Sequence, residues 1–279
     1  MSDNPFIDIG TDCSEEPVKD TGEDTSLDLP RGYMSISQVN LYYQCGWKYY
    51  LSYVKDMPRT STIATATGRS VHSLVETALK DVMQGKGLRP LEQVMDEAAT
   101  VVSSELSEVE DLTDPDTGAE KDESHWVDSV RKIYRTWHSI RAPHILPLAV
   151  EKKFEVVLDG VPTVGVIDLI DGKSGKTVVD LKVTKRKKSL KDAQNSLQLA
   201  LYSHVEGTSD AGFDNIVKKA VPEFHATRVV FTPKEGKWAA TLVRDAADCI
   251  SAGVFPKTTP DNWWCSERFC DHWSNCRGK

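Results

Sequence analysis

The stretch from Gly165 to Tyr202 limits most strongly what this chain can fold into. Two short apolar runs, 164–170 and 177–183, have the composition of buried strands, and a turn rich in Gly, Lys and Ser joins them. Each run carries one carboxylate where a buried strand should carry none, Asp168 in the first and Asp180 in the second. Burying a charge is costly unless it is paired or binds a metal. The pattern therefore predicts two acids on adjacent strands at a functional site.

Lys182 extends this pattern, because residues i and i+2 of a strand share a face. Asp180 and Lys182 should therefore project together, while Leu181 faces the other way. Hard divalent cations such as Mg²⁺ take carboxylate and carbonyl oxygens as ligands. A bound ion of this kind can position and activate a water molecule for attack on a phosphodiester. The two acids and the lysine together favour a divalent-metal site with a cation beside it.

Ordered motifs along the chain resemble the PD-(D/E)XK nuclease superfamily, specifically its RecB-like branch, over roughly residues 33–279. The motifs are Gly68-Arg-Ser-Val-His72, Gly165-Val-Ile-Asp168, Asp180-Leu-Lys182 and Gln198-Leu-Ala-Leu-Tyr202. A single Asp-x-Lys would be weak evidence, since it occurs by chance in many proteins. Several motifs that follow one another in the order of the family are strong evidence for the resemblance.

The resemblance implies an α/β fold with a restriction-endonuclease-like core, in which helices flank a central mixed sheet. It implies a site for one or two Mg²⁺ or Mn²⁺ ions. The implied metal ligands are His72, Asp168, Asp180 and the backbone carbonyl of Leu181. Lys182 would orient or activate the attacking water, and Gln198 and Tyr202 would position the nucleic acid.

The activity that the resemblance implies is a metal-dependent DNA nuclease, with an exonuclease acting on DNA ends in recombination, repair or replication as the preferred form. A structure-specific or single-strand endonuclease is an alternative with the same motifs. A non-catalytic DNA-binding module of the same fold is a second alternative. The intact set of His72, Asp168, Asp180 and Lys182 argues against this last alternative.

Three glutamates near the motifs are open to two interpretations. Glu76 lies four residues after His72 on a predicted helix, so both side chains can point at one site. Glu151 and Glu155 share one face of the first predicted strand. They could reach the metal site or face solvent, and we expect them to face solvent.

The net charge of −8 does not exclude nucleic acid, because the charge is unevenly distributed. Residues 1–31 carry a net charge of −7 and residues 92–123 carry −11, which leaves +10 for the remainder, including all the motifs. The densest basic run follows Lys182 directly. It predicts contacts with the DNA backbone from Lys185, Arg186, Lys187 and Lys188.

The composition along the chain predicts four regions. Residues 1–31 are acidic and poor in large apolar residues, which is typical of a disordered tail. Residues 32–279 form the predicted nuclease domain. Within it, 84–145 is a helical insertion that we expect to cover or gate the DNA path, and 263–279 is a cysteine-rich clasp.

Three cysteines of that clasp, Cys265, Cys270 and Cys276, lack a fourth ligand, and Cys45 is the obvious candidate. The set resembles the [4Fe–4S] clasp of CRISPR-associated and helicase-linked nucleases of the branch. The first C-terminal interval here has four residues and not the commoner two, whereas the final five-residue interval matches. A structural zinc site including His272 and a set of free buried thiols are the alternatives.

No apolar run approaches the ~20 residues that span a bilayer, and the N-terminus has no signal-peptide pattern. We therefore expect no membrane association and a place in the cytoplasm of a bacterial or phage-infected cell. The expected partners are DNA and a helicase or recombination protein, since the chain has no helicase signature.

The remaining patterns give coarse expectations for secondary structure. Gly172 to Thr177 resembles a phosphate loop only superficially, because a Walker motif needs four residues between its glycines and a helix after it. We interpret it as a hairpin turn. The other expectations are a helix over 35–54, a loop over 57–67, a helix over 191–205, strands at 227–232 and 238–243 and a short helix over 244–254.

Overall fold

The structure is a computed structural model that describes residues 27–114 and 117–277, so most of the predicted tail 1–31 lies outside the described residues. The α-helices in these ranges are α1 (Ile36–Gln44), α2 (Gly46–Tyr49), α3 (Ile63–Met83), α4 (Leu91–Leu106), α5 (Glu123–Ile140), α6 (Leu190–Gln194), α7 (Leu197–Glu206), α8 (Pro233–Ser251) and α9 (Trp273–Cys276). A π-helix over Tyr50–Val54 continues α2, and a 3-10 helix spans Ala142–His144. The strands are β1 (Met34–Ser35), β2 (Pro147–Leu158), β3 (Val161–Asp171), β4 (Thr177–Thr184), β5 (Asp210–Val217) and β6 (Glu223–Val230). None of the helices in the described ranges is long and apolar enough to cross a membrane.

The six strands form one mixed sheet in the order β1-β3-β4-β5-β6, with β2 paired to β3. β1 runs parallel to β3 and β4 runs parallel to β5, whereas the other pairs are antiparallel. Helices cover both faces. One apolar core includes buried residues of α1, α7 and α8, and the other includes buried residues of α3, α4 and α5. The predicted central mixed sheet flanked by helices is confirmed.

The ladder between β3 and β4 is short, and this opens the sheet at the two acids. Only three pairs form, and the last of them joins Leu169 to Val179. Asp168 and Asp180 are the next residues on each strand, so they lie just beyond the point where the two strands separate. The Leu181 backbone N–H lies beyond this ladder and donates to the side chain of Asp168, at Oδ2, over 2.8 Å.

The predicted helix over 35–54 is broken at Cys45. The capping box of Ser35 and Gln38 starts α1 as predicted, but Cys45 has an extended backbone (φ −166°, ψ 106°). Its Sγ accepts the N–H of Lys48 at 3.4 Å and caps α2. The close approach of another segment explains the break, because a Cβ on Gly46 would lie 2.6 Å from Pro256 Cδ. The chain after Cys45 is thus tied to the segment that leads to the C-terminal cysteines.

Two other expectations, one for a loop and one for a helix, differ from the structure. The expected loop over 57–67 is wrong for its last five residues, because α3 begins at Ile63 with Thr62 accepting the Thr65 N–H at 3.2 Å. The expected helix over 191–205 is interrupted at Asn195, after which the Ser196 side chain caps a new helix, α7.

Sequence patterns missed β5 and misassigned α8. β5 carries polar residues in its interior, which hid it from a search for apolar runs. Asp214 and Asn215 are buried there because each is fully engaged in polar contacts. The expected strand at 238–243 is wrong, since it and most of the expected helix 244–254 belong to one helix, α8. The signal for α8 was present in the capping box of Thr232 and Glu235.

Candidate active site

The two strand acids lie together with a histidine at the opening between β3 and β4. The Nδ1 atom of His72, which projects from α3, lies 3.7 Å from Asp168 Oδ2. One ligand atom each from His72, Glu151 and Asp168 lie within 4.8 Å of one another. Among the described residues, this is the only such group of three or more His, Cys, Asp or Glu side chains. The structure thus brings one predicted ligand pair together and adds a glutamate.

Glu151 reaches this group because of the register of β2. It lies opposite Asp168, between the pairs Val150–Leu169 and Lys152–Ile167. Our expectation that Glu151 faces solvent is wrong, whereas Glu155 is exposed as expected. Glu151 also has a φ of 49°, a conformation that is costly for a residue with a side chain and is often found at functional sites.

The carboxylates repel one another electrostatically. Burial raises the pKa of Glu151, and the nearby charges of Asp168 and Glu76 raise it further. Glu76 lines the same cleft, and its carboxylate forms an ion pair with Lys80 one turn along α3. The expected proximity of Glu76 to the site is observed, but in this structure its charge is neutralised by a lysine. A cation placed among these acids would relieve the repulsion.

Asp180 is almost fully buried, with 1% of its surface exposed. Burial raises its pKa to about 6, with Lys182 opposing the shift and Asp168 adding to it. The Lys182 Nζ lies 2.7 Å from Asp180 Oδ2. Even so, no described residue makes a hydrogen bond of regular geometry to that oxygen. A buried carboxylate oxygen in this state is suited to accept a further cation.

Lys182 leads into a polar chain on α7. Its Nζ donates to Gln198 Oε1 at 3.4 Å, and Gln198 Nε2 donates to the Tyr202 hydroxyl at 3.3 Å. Burial raises the pKa of Tyr202, so its hydroxyl stays protonated. The i, i+4 spacing on one helix face brings Gln198 and Tyr202 together, as predicted.

Gly165 explains how Tyr202 is held. A Cβ at Gly165 would overlap the ring of Phe154 on β2, so only glycine lets that ring lie against the β3 backbone. The Phe154 ring in turn packs edge-on against Tyr202, with ring centroids 5.6 Å apart. The glycine of the Gly165-Val-Ile-Asp168 motif therefore has a packing role that reaches the far side of the site.

An open cleft of about 620 Å³ gives access to these groups. Its lining residues include Arg69, His72, Glu76, Glu151, Asp168 and Lys182. Arg69 was not singled out in the sequence, although it lies in the first motif, three residues before His72 and on the same helix face. Its guanidinium bonds Glu105 on α4 and Ser61 Oγ at 3.0 Å, with Glu108 at 3.4 Å.

The predicted DNA-binding run leaves β4 just after Lys182. Lys185, Arg186 and Lys187 are exposed, whereas Lys188 is only half-exposed and places its Nζ 5.9 Å from the centroid of Phe213. Arg186 makes two contacts of 3.3 Å with Asp192. The run is therefore part of the short loop that joins β4 to α6.

The four cysteines of the predicted clasp come together, although they are far apart in sequence. One cavity is lined by Cys45, Cys265, Cys270, Cys276 and His272. His272 is buried, and its Nε2 lies 2.9 Å from Ser52 Oγ. The described cysteines are all free thiols, and burial raises the pKa of Cys270.

The donor set at the cleft fits a hard divalent cation. Carboxylate oxygens, a backbone carbonyl and one imidazole are ligands that Mg²⁺ and Mn²⁺ accept. The spacing of His72, Glu151 and Asp168 and the incompletely bonded oxygen of Asp180 agree with such an ion.

Comparisons with known proteins agree with this geometry. The family model of the PD-(D/E)XK nuclease superfamily matches residues 33–277. The crystal structure of a candidate exonuclease from Eubacterium rectale is similar, with a TM-score of 0.52 and 15% identity, covering 84% of this chain and 87% of that one. At this identity the similarity concerns the fold alone.

A second structure, of a protein named SSO0001, aligns with a TM-score of 0.37 and 15% identity. The alignment covers 87% of this chain and 95% of that one, but the TM-score is too low to support an argument. No curated protein sequence is significantly similar to the chain.

Proposed function

The chain belongs to the PD-(D/E)XK nuclease superfamily, and we propose that it is a metal-dependent deoxyribonuclease that removes nucleotides from DNA ends. The observation that carries this proposal is the convergence of His72, Glu151 and Asp168 on one point, beside Asp180 and Lys182, where β3 and β4 separate. Superfamily membership makes the chain a nuclease. The metal, the substrate and the mode of cleavage are the proposed parts.

The proposed ligands of the metal are His72, Asp168, Asp180, the backbone carbonyl of Leu181 and, as an addition from the structure, Glu151. A bound Mg²⁺ or Mn²⁺ would supply a lowered pKa for a coordinated water and polarisation of the phosphoryl oxygens. The Leu181 N–H, by donating to Asp168 Oδ2, fixes the orientation of that carboxylate. The same oxygen lies 3.7 Å from His72 Nδ1, so the hydrogen bond holds the carboxylate beside the proposed ligand group.

Lys182 carries the chemistry that the chain itself contributes. Its ammonium group is a fixed positive charge beside the acids, where negative charge develops on the phosphate in the transition state. It can also hold the attacking water by a hydrogen bond. Gln198 orients Lys182 through the 3.4 Å contact, and Tyr202 orients Gln198 in turn.

The DNA backbone would approach through the cleft. Arg69 lines this cleft, and the run from Lys185 to Lys188 follows the lining residues Lys182 and Val183 along the chain. Both offer phosphate contacts that do not depend on base sequence. Arg69 is held by Glu105, Ser61 and Glu108, and its Nη1 atom is bonded to none of the described residues, so that atom can donate to a phosphate oxygen.

Action on ends is the preferred mode because many stand-alone proteins of the RecB-like branch, which the motifs resemble, are similar to recombination exonucleases. The E. rectale structure also bears the name of a candidate exonuclease. We place the reaction in DNA recombination, repair or replication in the cytoplasm of a bacterial or phage-infected cell, with a helicase or recombination protein as partner. A structure-specific or single-strand endonuclease remains the alternative.

The test compares linear duplex, closed circular and single-stranded DNA in Mg²⁺ and in Mn²⁺, using wild-type protein and Asp180→Ala. Degradation of linear but not closed circular DNA, lost in the variant, would support the proposal. Cutting of closed circles would make the protein an endonuclease. No cleavage of any substrate by the wild type would overturn the proposed activity.

We also propose that the four cysteines hold a [4Fe–4S] cluster that joins the two ends of the nuclease domain. A tetrahedral zinc site with bonds of ~2.3 Å holds its sulfurs about 3.8 Å apart. Among the described residues, no three cysteines have ligand atoms within 4.8 Å of one another, although all four line one cavity. A cluster of this kind takes four thiolates, one for each iron, which is the number of cysteines that line the cavity.

Elemental analysis of the purified protein, kept free of oxygen, tests this assignment. We expect iron without stoichiometric zinc, with iron lost in Cys265→Ser and retained in Cys249→Ser, since Cys249 lies on α8 outside the cavity. One zinc per chain would favour the structural zinc site, and neither metal would favour free thiols.

A further inference from the structure

The structure assigns a positioning role to Asn215 and Thr227, two buried residues outside the sequence motifs. We propose that they hold residues 184–188 as a preformed loop that binds the backbone phosphates flanking the cleavage point. This inference rests on the proposed function, because the phosphates are those of its nucleic-acid substrate.

Asn215 on β5 is fully buried and uses both ends of its side-chain amide. Its Nδ2 donates to the Lys182 carbonyl at 3.1 Å and to Thr184 Oγ1 at 2.7 Å, and its Oδ1 accepts the Lys188 N–H at 2.8 Å. If the Asn215 amide were flipped, its NH₂ group would face the Lys188 N–H, and two donors would meet. The hydrogen-bond network therefore determines the orientation of the amide. One side chain therefore joins the strand of the active-site lysine to both ends of the basic loop.

Thr227 on β6 fixes the end of the same loop from a second strand. It is buried, and its Oγ1 donates to the Lys188 carbonyl at 2.8 Å. Inside the loop, Thr184 Oγ1 donates to the Arg186 carbonyl at 2.7 Å. Three hydroxyl and amide side chains thus bind three backbone groups of the loop, which are the Arg186 carbonyl and both the N–H and the carbonyl of Lys188.

The loop presents three exposed basic side chains, Lys185, Arg186 and Lys187, starting three residues after Lys182. The contact of Arg186 with Asp192 is at the surface, where ion pairs contribute little. A phosphate can therefore replace it. Fixing the backbone before binding lowers the entropic cost of ordering these side chains on DNA. Ordinary solvated loops with the same charges would lack this advantage.

The experiment measures DNA affinity separately from cleavage, using full-length Asp180→Asn protein and a labelled linear duplex followed by fluorescence anisotropy. Thr227→Val removes the hydroxyl at nearly constant volume, and Thr227→Ser retains it as the matched control. We expect Thr227→Val to weaken binding by about three- to tenfold, the usual effect of one neutral hydrogen bond. We expect Thr227→Ser to bind like the parent protein.

A double-mutant cycle with Lys187→Ala distinguishes positioning from general stability. If Thr227 acts through the loop, Thr227→Val and Lys187→Ala will be non-additive, because each removes part of the same interaction. In otherwise wild-type protein, Thr227→Val should raise KM with little change in kcat. Asn215→Ala should change both, since Asn215 also contacts the Lys182 carbonyl.

Unchanged DNA affinity in folded Thr227→Val protein, or additive effects in the cycle, would overturn the inference. If Thr227 were merely structural, Thr227→Val would lower the melting temperature of the protein but would change neither KM nor the coupling to Lys187→Ala. Since binding is measured in a variant designed not to cleave, DNA binding without any wild-type cleavage would reject the proposed activity and still test the loop.

Discussion

The Lys182 Nζ lies 2.7 Å from Asp180 Oδ2, although the aspartate is 99% buried and the oxygen lacks a hydrogen bond of regular geometry. Both residues come from one face of β4, beyond the last pair that β4 forms with β3. The lysine partly compensates a charge that would otherwise be costly to bury. In our account a divalent cation completes that compensation, which frees Lys182 to act on the substrate.

Asp180→Asn should stabilise the metal-free protein in a pH-dependent way. Burial raises the pKa of Asp180 from 3.8 to about 6 in the folded state, so the folded protein binds this proton more tightly than the unfolded chain. The free energy of unfolding of the wild type should therefore fall, relative to that of the variant, as the pH rises from 3.8 to about 6.

Thermal unfolding in EDTA between pH 4 and 7.5 checks this expectation. The melting temperature of the variant should exceed that of the wild type at neutral pH, by about 2–4 °C for each kcal/mol, and the difference should shrink towards pH 4. A constant difference, or one that grows on acidification, would contradict the proposed cost of burying this carboxylate.

Glu151→Gln should reduce the stabilisation that Mn²⁺ gives to the protein. A ligand that binds only the folded state raises the melting temperature according to its affinity, and Glu151 shares the candidate ligand group with His72 and Asp168. The matched control is Glu155→Gln, because Glu155 lies on the same strand and is exposed. Titration of Mn²⁺ against melting temperature should show a weaker response in Glu151→Gln only, and equal responses would remove Glu151 from the site.

Gly165→Ala should disturb the site by packing. The new methyl group would occupy the space of the Phe154 ring, which packs against Tyr202. Overpacking of this kind costs about 1–3 kcal/mol. We expect a lower melting temperature and slower cleavage. Gly68→Ala is the stability control, since its Cβ would meet nothing within 4 Å, and a comparable loss of stability there would argue against the steric explanation.

Arg69→Ala should weaken DNA binding at every sequence and make it less sensitive to salt. Losing one phosphate contact reduces the slope of log K against log salt concentration by about 0.9 for duplex DNA. Arg131→Ala serves as a control, because Arg131 lies on α5 and bonds the Met95 carbonyl outside the cleft. Identical slopes for the wild type and Arg69→Ala would place Arg69 in a purely structural role between α3 and α4.

The sequence was sufficient to predict the strands of Asp168 and Asp180, because apolar runs interrupted by single carboxylates leave few other interpretations. It could not place Glu151, since alternation along β2 says which residues share a face but not what lies opposite them. That depends on the register with β3. β5 was missed for a related reason. Asp214 lowers the apparent hydrophobicity of the strand, yet it is buried through ion pairs with Arg141 and Arg228, which are far away in the sequence.

The same limit applies to the expected helix over 35–54. Nothing in the local sequence shows that Pro256 packs against Gly46 and that the chain must turn at Cys45. Local signals predicted the helix start at Ser35 correctly, because a capping box is formed by neighbours in sequence. Contacts between distant segments decided the break at Cys45, whereas the expected end at Val54 is confirmed, because a π-helix runs from Tyr50 to Val54.

The measurement that tests the account most directly is the single-turnover cleavage rate of a labelled linear duplex by wild-type protein and Lys182→Gln, in Mg²⁺ and in EDTA. The glutamine removes the positive charge but keeps a hydrogen-bonding side chain. The account predicts Mg²⁺-dependent cleavage by the wild type and a loss of at least about a hundredfold in the variant, with DNA binding largely retained. Cleavage by Lys182→Gln at the wild-type rate, or cleavage by the wild type in EDTA, would contradict it.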